Sequence, residues 1–300
     1  MEAWRSFNEG VWCDEINVSN FIKLNYTAYD GDGSFLKGPT DRTKDVLNKV
    51  EELLIKENEN GGVLDVDTSK VLSILSHGPG YIDKERDIIV GLQTDEPLKR
   101  GVSPFAGFRN AVQACRAYGY ELSDKIKDEF TYITTHNTGV FRAYTDTMKK
   151  ARHAGILTGL PDAYARGRII GDYRRIALYG MDYLIEQKKN DKKKMGDAEV
   201  LTEDVIHNLE DLSKQLDFMN QLKGLALDYG YDISKPATTA KEAIQWLYFG
   251  YLGAIKEQNG AANSIGRIAE FIDCYIERDI KEGTLDEEGA QELIDDLVLS

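Results

Sequence analysis

The chain reads as an α/β protein in which helix predominates. Three features of its 300 residues point there. Apolar residues recur at three- and four-residue spacing over most of the length. Only one compact β-branched run, Ile88-Ile89-Val90-Gly91-Leu92, has strand character. Apolar content of 42% with 29% charge is that of a globular chain able to bury a sizeable core.

The elements follow in order. Val46, Leu47, Val50, Leu53 and Leu54 share one face of a helix that starts near Pro39-Thr40-Asp41. Thr68 to Ser76 reads as a short helix broken at Gly78-Pro79-Gly80. Residues 88–92 are the strand, with Thr94-Asp95-Glu96-Pro97 turning after it. Phe108 to Ala117 and Ser123 to Thr135 are helical, and Thr145 caps another helix ending at Gly155. Ile156-Leu157-Thr158 is extended, and Gly159-Leu160-Pro161 turns the chain. Ile176 to Gln187 is an apolar helix ending in lysines 188, 189 and 192–194, a solvated end that suits the helix dipole. Val205 to Leu225 is a long amphipathic helix closed before Gly230. Capping boxes Thr239-x-x-Glu242 and Thr284-x-x-Glu287 open the last helices. No repeat or low-complexity linker marks a domain boundary.

Composition excludes several classes. A formal net charge of −14 argues against nucleic acid. Three separated cysteines, Cys13, Cys115 and Cys274, give neither a disulfide framework nor metal-ligand spacing, as expected of a cytoplasmic protein. Trp246 to Ile255, bounded by Glu242 and Lys256, is too short to span a bilayer, so no membrane is expected, and the start has no signal-peptide pattern. Asp30-Gly31-Asp32-Gly33-Ser34 fails as a calcium loop because Phe35 takes the position that needs glycine; it reads as a turn. His77, His136, His153 and His207 lack ligand spacing and read as structural, and no metal site is expected.

One segment stands out. Asp162-Ala163-Tyr164-Ala165-Arg166-Gly167-Arg168-Ile169-Ile170-Gly171-Asp172-Tyr173-Arg174-Arg175 gathers four arginines in an acidic chain, among glycines that let backbone approach a ligand. Guanidinium pairs two-point with a carboxylate. A small-anion site and a solvated helix start are both open readings at this point.

The segment continues to Gly180 as TGLPDAYARGRIIGDYRRIALYG. With WRSFNEGVW, NYTAYDGDGSFLKGPT, GLQTDEPLKR, THNTGVFRAYT, YGYDISKPATTAKEAIQW, NGAANSIGR and YIERDIKEGTL, in that order, it resembles the formate acetyltransferase (pyruvate formate-lyase) family of glycyl radical enzymes. The resemblance covers essentially the whole chain. It implies a ten-stranded α/β barrel of two half-barrels with helices outside, of which residues 1–300 would be the N-terminal part. The family cleaves pyruvate homolytically, releases formate and passes acetyl through cysteine to coenzyme A. It uses a glycyl radical installed by a radical SAM activating enzyme, two adjacent cysteines and a glycine in an Arg-Val-x-Gly-Tyr string. Neither the cysteine pair nor that string is in this sequence. The resemblance therefore implies a fragment, truncated before the catalytic residues and inactive alone, with no catalytic residue of its own and no cofactor of its own.

By the same resemblance, Arg168 would hold the pyruvate carboxylate, and Ala261 and Ala262 would line the pocket. Phe141, Arg152 and His153 would fall near coenzyme A. A homodimer is expected. Alternatives are the non-catalytic half of a split enzyme docking on a partner chain, or a related glycyl radical enzyme with another substrate. Ala165, Ser103-Pro104-Phe105-Ala106-Gly107 and Asn263 depart from the family pattern, which bears on substrate identity.

Overall fold

A computed structural model describes residues 2–102, 108–132, 143–157, 169–197, 200–258 and 263–300. Its helices are α1 (Val18–Asn25), α2 (Asp41–Glu59), α3 (Phe108–Ala117), α4 (Asp124–Tyr132), α5 (Asp146–His153), α6 (Arg174–Tyr179), α7 (Met181–Gly196), α8 (Glu203–Asp228), α9 (Ala240–Gln258), α10 (Ala269–Lys281) and α11 (Glu287–Leu299). The strands are β1 (Asp65–Val71), β2 (Lys99–Val102), β3 (Ile169–Ile170) and β4 (Asn263–Ser264). β1 pairs with β2 and β3 with β4, both parallel. Helix predominates, as the periodicity predicts.

The core is built around α9. Ala243, Ile244, Leu247, Phe249 and Leu252 are buried, so this helix hides more than one face and packs against α6, α8, α10 and α11. An aromatic cluster closes one end: Phe21 meets Trp12 and Phe7 edge to face, each at 4.9 Å, and Phe7 meets Tyr275 at 5.0 Å. A smaller cluster of Val102, Cys115, Leu122 and Ile126 packs α3 and α4 near the β1–β2 pair.

Several helix limits follow from capping chemistry. The hydroxyls of Thr40, Thr145 and Thr202 accept from the third residue on and open α2, α5 and α8. Asp32 accepts from Ser34 N and starts a 3₁₀ turn, the local role of the Asp30–Ser34 stretch. Thr239 accepts from Glu242 N at 3.2 Å, but the Glu242 carboxylate reaches Thr238 instead, so the capping box is shifted by one residue.

Four expectations are corrected. Thr68 to Ser76 is not a helix. Residues 65–71 form β1, and Leu72 N continues the ladder to Val102 O at 2.7 Å. Asp67 bonds both Ser69 N and Ser69 Oγ, an Asx turn that accompanies the irregular register between Asp67 and Val71. The Ser76 hydroxyl then closes a turn on Ser73.

Residues 88–92 are not a strand. Their backbone groups are taken by side chains of helices. Asp296 accepts from Ile88 N and Ile89 N, each at 2.7 Å. Gln245 pairs with both Val90 N and Val90 O at 2.8 Å. Tyr248 donates to Gly91 O at 2.9 Å, and Tyr229 accepts from Leu92 N at 3.2 Å. Buried backbone groups must find partners, and here helices supply what a neighbouring strand would.

Ile176 to Gln187 is not one helix. Gly180, at φ +76°, divides α6 from α7. A side chain there would lie 2.5 Å from Lys235 C and 2.7 Å from Pro236 N. That approach lets Met181 N and Asp182 N donate to Ile233 O and Ser234 O, capping α7 with backbone. Gly180→Ala should lower the unfolding free energy by about 2–4 kcal/mol, from the strained φ and the backbone overlap together. Urea unfolding checks this, and a loss near zero would contradict it.

Thr284 does not open α11. Asp286 is its cap, accepting from Gly289 N at 2.8 Å, while Thr284 folds back to Asp279 O and closes α10.

Candidate functional site

The arginine segment leads into β3, which pairs with β4. Ile169 pairs with Asn263 and Ile170 with Ser264. The chain enters these strands from residues 168 and 262. Arg168, Ala261, Ala262 and Phe141 themselves lie outside the described residues, as does His136.

The exits of both strands are tied together. Arg174 Nε bonds Asp172 at 2.7 Å, and its Nη1 donates to Arg267 O at 3.0 Å. Arg175 bonds the other Asp172 oxygen at 3.4 Å. One carboxylate thus engages two of the four arginines, which gives Arg174 and Arg175 a structural task. Gly266, at φ +78°, turns the chain after β4, and its N–H donates to Ser264 Oγ at 3.0 Å. Both polar atoms of the Asn263 amide are buried without a hydrogen-bond partner among the described residues, at one of the positions where the sequence departs from the family pattern.

Arg152 and His153 occupy the last turn of α5 with Lys150, Arg152 half-buried and His153 exposed. Three basic groups at a helix C-terminus form a cationic end.

The last turn of α9 is anchored in the interior. Lys256 is fully buried and donates to Gln93 O at 3.0 Å, while Gln93 Nε2 donates to Ile255 O at 3.5 Å. Glu257 accepts from Ile74 N at 3.1 Å. Burial pushes the Lys256 ammonium down to about 8, against the pull of Asp95 and Glu257. Sequence reading used Lys256 only as the polar boundary of an apolar stretch, so its burial was missed. Its place in the last turn of an otherwise apolar helix was the available signal.

Nearby, His77 is buried, with Nε2 at 3.0 Å from Asp67 and Nδ1 at 2.8 Å from Ser76 Oγ. Burial, then Lys70, lowers its pKa against the opposing pull of Asp67. Burial pushes Asp67 up, but bonds from Ser69 and His77 outweigh it and hold the carboxyl below its usual range. Ser76 Oγ also accepts from Ser73 N and lies 2.9 Å from Ser73 O, so the imidazole is held beside a turn. His207 is exposed and lies between Glu203 and Glu210.

Two of the three cysteines are poorly placed for an acyl-carrying role. Cys115 and Cys274 are buried and far apart in sequence. Burial raises both thiols, Cys274 to about 12.

With this geometry in hand, the comparisons are decisive at family level. Residues 7–300 match the model of the family described as pyruvate formate lyase-like. The chain belongs to the pyruvate formate lyase-like family. A formate acetyltransferase from Haemophilus influenzae is 52% identical over 99% of this chain, which spans 39% of that relative. Solved structures agree in fold. One describing 1,2-propanediol dehydration in Roseburia inulinivorans superposes with a TM-score of 0.60 at 16% identity, over 87% of this chain and 37% of that one. The glycerol-bound B12-independent glycerol dehydratase of Clostridium butyricum gives 0.60 at 18% identity, over 89% and 40%. Hydroxyproline dehydratase from Clostridioides difficile gives 0.53 at 18%, over 87% and 40%. No helix among the described residues is long and apolar enough to cross a membrane.

Proposed function

We propose that this chain is the portion of a formate C-acetyltransferase that grips the pyruvate carboxylate, in an enzyme converting pyruvate and coenzyme A to acetyl-CoA and formate. Arg168 is the clamp, and Ala261 and Ala262 are the small walls beside it. A pocket for a three-carbon acid needs one strong cation among compact apolar neighbours. What supports the reading is the parallel pairing of Ile169–Ile170 with Asn263–Ser264, which joins the two sequence stretches that the family resemblance singles out. The same pairing suits part of a half-barrel of parallel strands.

The radical group supplies homolytic cleavage of the pyruvate C–C bond. On this reading these 300 residues hold the substrate and do not themselves break its bond. The cationic end of α5, with Arg152 and His153, suits the phosphates of coenzyme A, and Phe141 belongs to the same proposed contact.

Calorimetry with pyruvate tests the clamp. The chain should bind weakly, and Arg168→Lys should weaken binding about tenfold, because an ammonium lacks the two-point fork. Unchanged affinity would remove Arg168 from the site. Formate produced by the isolated chain would show that these residues do break the bond.

A further inference from the structure

We propose that Lys256 is a positioning residue that fixes how α9 hands the chain on to β4, and through it the pairing of β4 with β3. The inference concerns the order of the strand pair. Only its consequence for pyruvate rests on the function proposed above.

Lysine is seldom fully buried unless paired. Lys256 is fully buried, yet among the described residues its hydrogen bond goes to a neutral acceptor, the carbonyl of Gln93. A methionine of similar length would fill the space without the desolvation penalty of an ammonium. The cation is therefore retained at a cost, and the geometry shows what it holds. Lys256 and Gln93 clasp reciprocally, ammonium to carbonyl in one direction and side-chain amide to Ile255 O in the other. Glu257 adds the bond to Ile74 N. Together these pin the last turn of α9 to two separate stretches of chain, around residues 74 and 93. A charge-assisted bond is stronger than a neutral one, and the helix C-terminus favours a cation there. The charged groups around the ammonium are Asp95 and Glu257, which favour its charge, and Lys70, which opposes it; His77 faces the same region and is influenced by Lys256 in turn. Four residues separate the end of α9 from β4, so the reach of the chain ties the start of β4 to the end of the helix.

The signature is a divergence between global and local stability. Burial holds Lys256 at about 8, below its unfolded value, so the unfolded chain binds more protons above that pH. From this group, global stability rises with pH from about 8 to about 10.4, where the unfolded lysine titrates. If the ammonium positions α9, the strand pair should loosen as pH rises through about 8.

The experiment combines hydrogen exchange at the Asn263 and Ser264 amides with carbon-13 titration of the lysine side chains. In the wild-type chain, exchange should accelerate beyond the intrinsic effect of hydroxide, with the midpoint at which Lys256 itself titrates. In Lys256→Met, β4 should exchange at least about tenfold faster at pH 7, while resistance to urea is retained or increased. Wild-type exchange that ignores the lysine's titration overturns the proposal, and this arm needs no variant to fold. Equal β4 exchange in a folded Lys256→Met chain overturns it as well. Pyruvate calorimetry separates this outcome from the clamp reading. If the wild type binds pyruvate through Arg168 but β4 is indifferent to Lys256, only the positioning proposal falls. If β4 responds but no pyruvate binds, only the clamp falls.

Discussion

Asp296→Ala should lower the unfolding free energy by about 3–5 kcal/mol, measured by urea unfolding. Asp296 is 2% exposed. One of its oxygens pairs with Arg42 Nη1 at 2.7 Å, and the other accepts from Ile88 N and Ile89 N. Alanine leaves two buried backbone donors without an acceptor. It also takes from Arg42 the better of its two carboxylate partners, leaving Glu292 at 3.3 Å. The carboxylate joins α2, α11 and the 88–92 segment, so its loss is felt in three places at once. Asp296→Asn keeps one acceptor and should recover part of the loss. A decrease below about 1 kcal/mol for alanine would show that water replaces the carboxylate in this interior.

Asp279→Ala should be comparably severe, again about 3–5 kcal/mol. Asp279 Oδ2 accepts from Ala240 N at the start of α9, and Oδ1 takes two bonds from Arg278, at 2.9 and 2.7 Å. The guanidinium is itself buried, stacked 4.7 Å from the Phe7 ring centroid and 5.0 Å from that of Tyr275. It also donates to Thr238 O at 2.7 Å. Removing only the carboxylate strands a cation in an aromatic interior. The double replacement Arg278→Met with Asp279→Ala should therefore be less destabilised than Asp279→Ala alone. Additive losses would mean that the pair is not electrostatically coupled.

These two carboxylates explain where sequence reading succeeded and where it failed. The long helices were legible because each has its own period and its own cap. Thr40, Thr145 and Thr202 sit where the pattern begins, and the bond to the third residue on is local. Asp296 and Asp279 are not legible in that way, since their partners lie across the fold at positions 42, 88, 89 and 240. The same distance misled the reading of 88–92. A β-branched run signals a largely buried backbone, which is what residues 89–91 are, but it does not say whether strands or side chains will bond it. The Thr68–Ser76 stretch reads as a short helix, whereas Asp67 and Ser69 shape a bulge in a strand paired with residues 99–102. Gly180 is visible as a glycine in an apolar run, but its left-handed backbone is required by residues 233–236, more than fifty positions on. The arginine segment was recognised through a long ordered resemblance. Its charge count could not say that Asp172 occupies two of the four guanidinium groups.

The unusual support of residues 88–92 has a consequence for what the chain tolerates. A strand in a ladder can slip by two residues and meet an equivalent set of neighbours, because every rung is alike. This segment has no such translational equivalence. A carboxylate meets two positions, a carboxamide and two phenols one each, and no shift maps that series onto itself. Lengthening the chain by one residue between 88 and 92 would leave every later contact facing the wrong group.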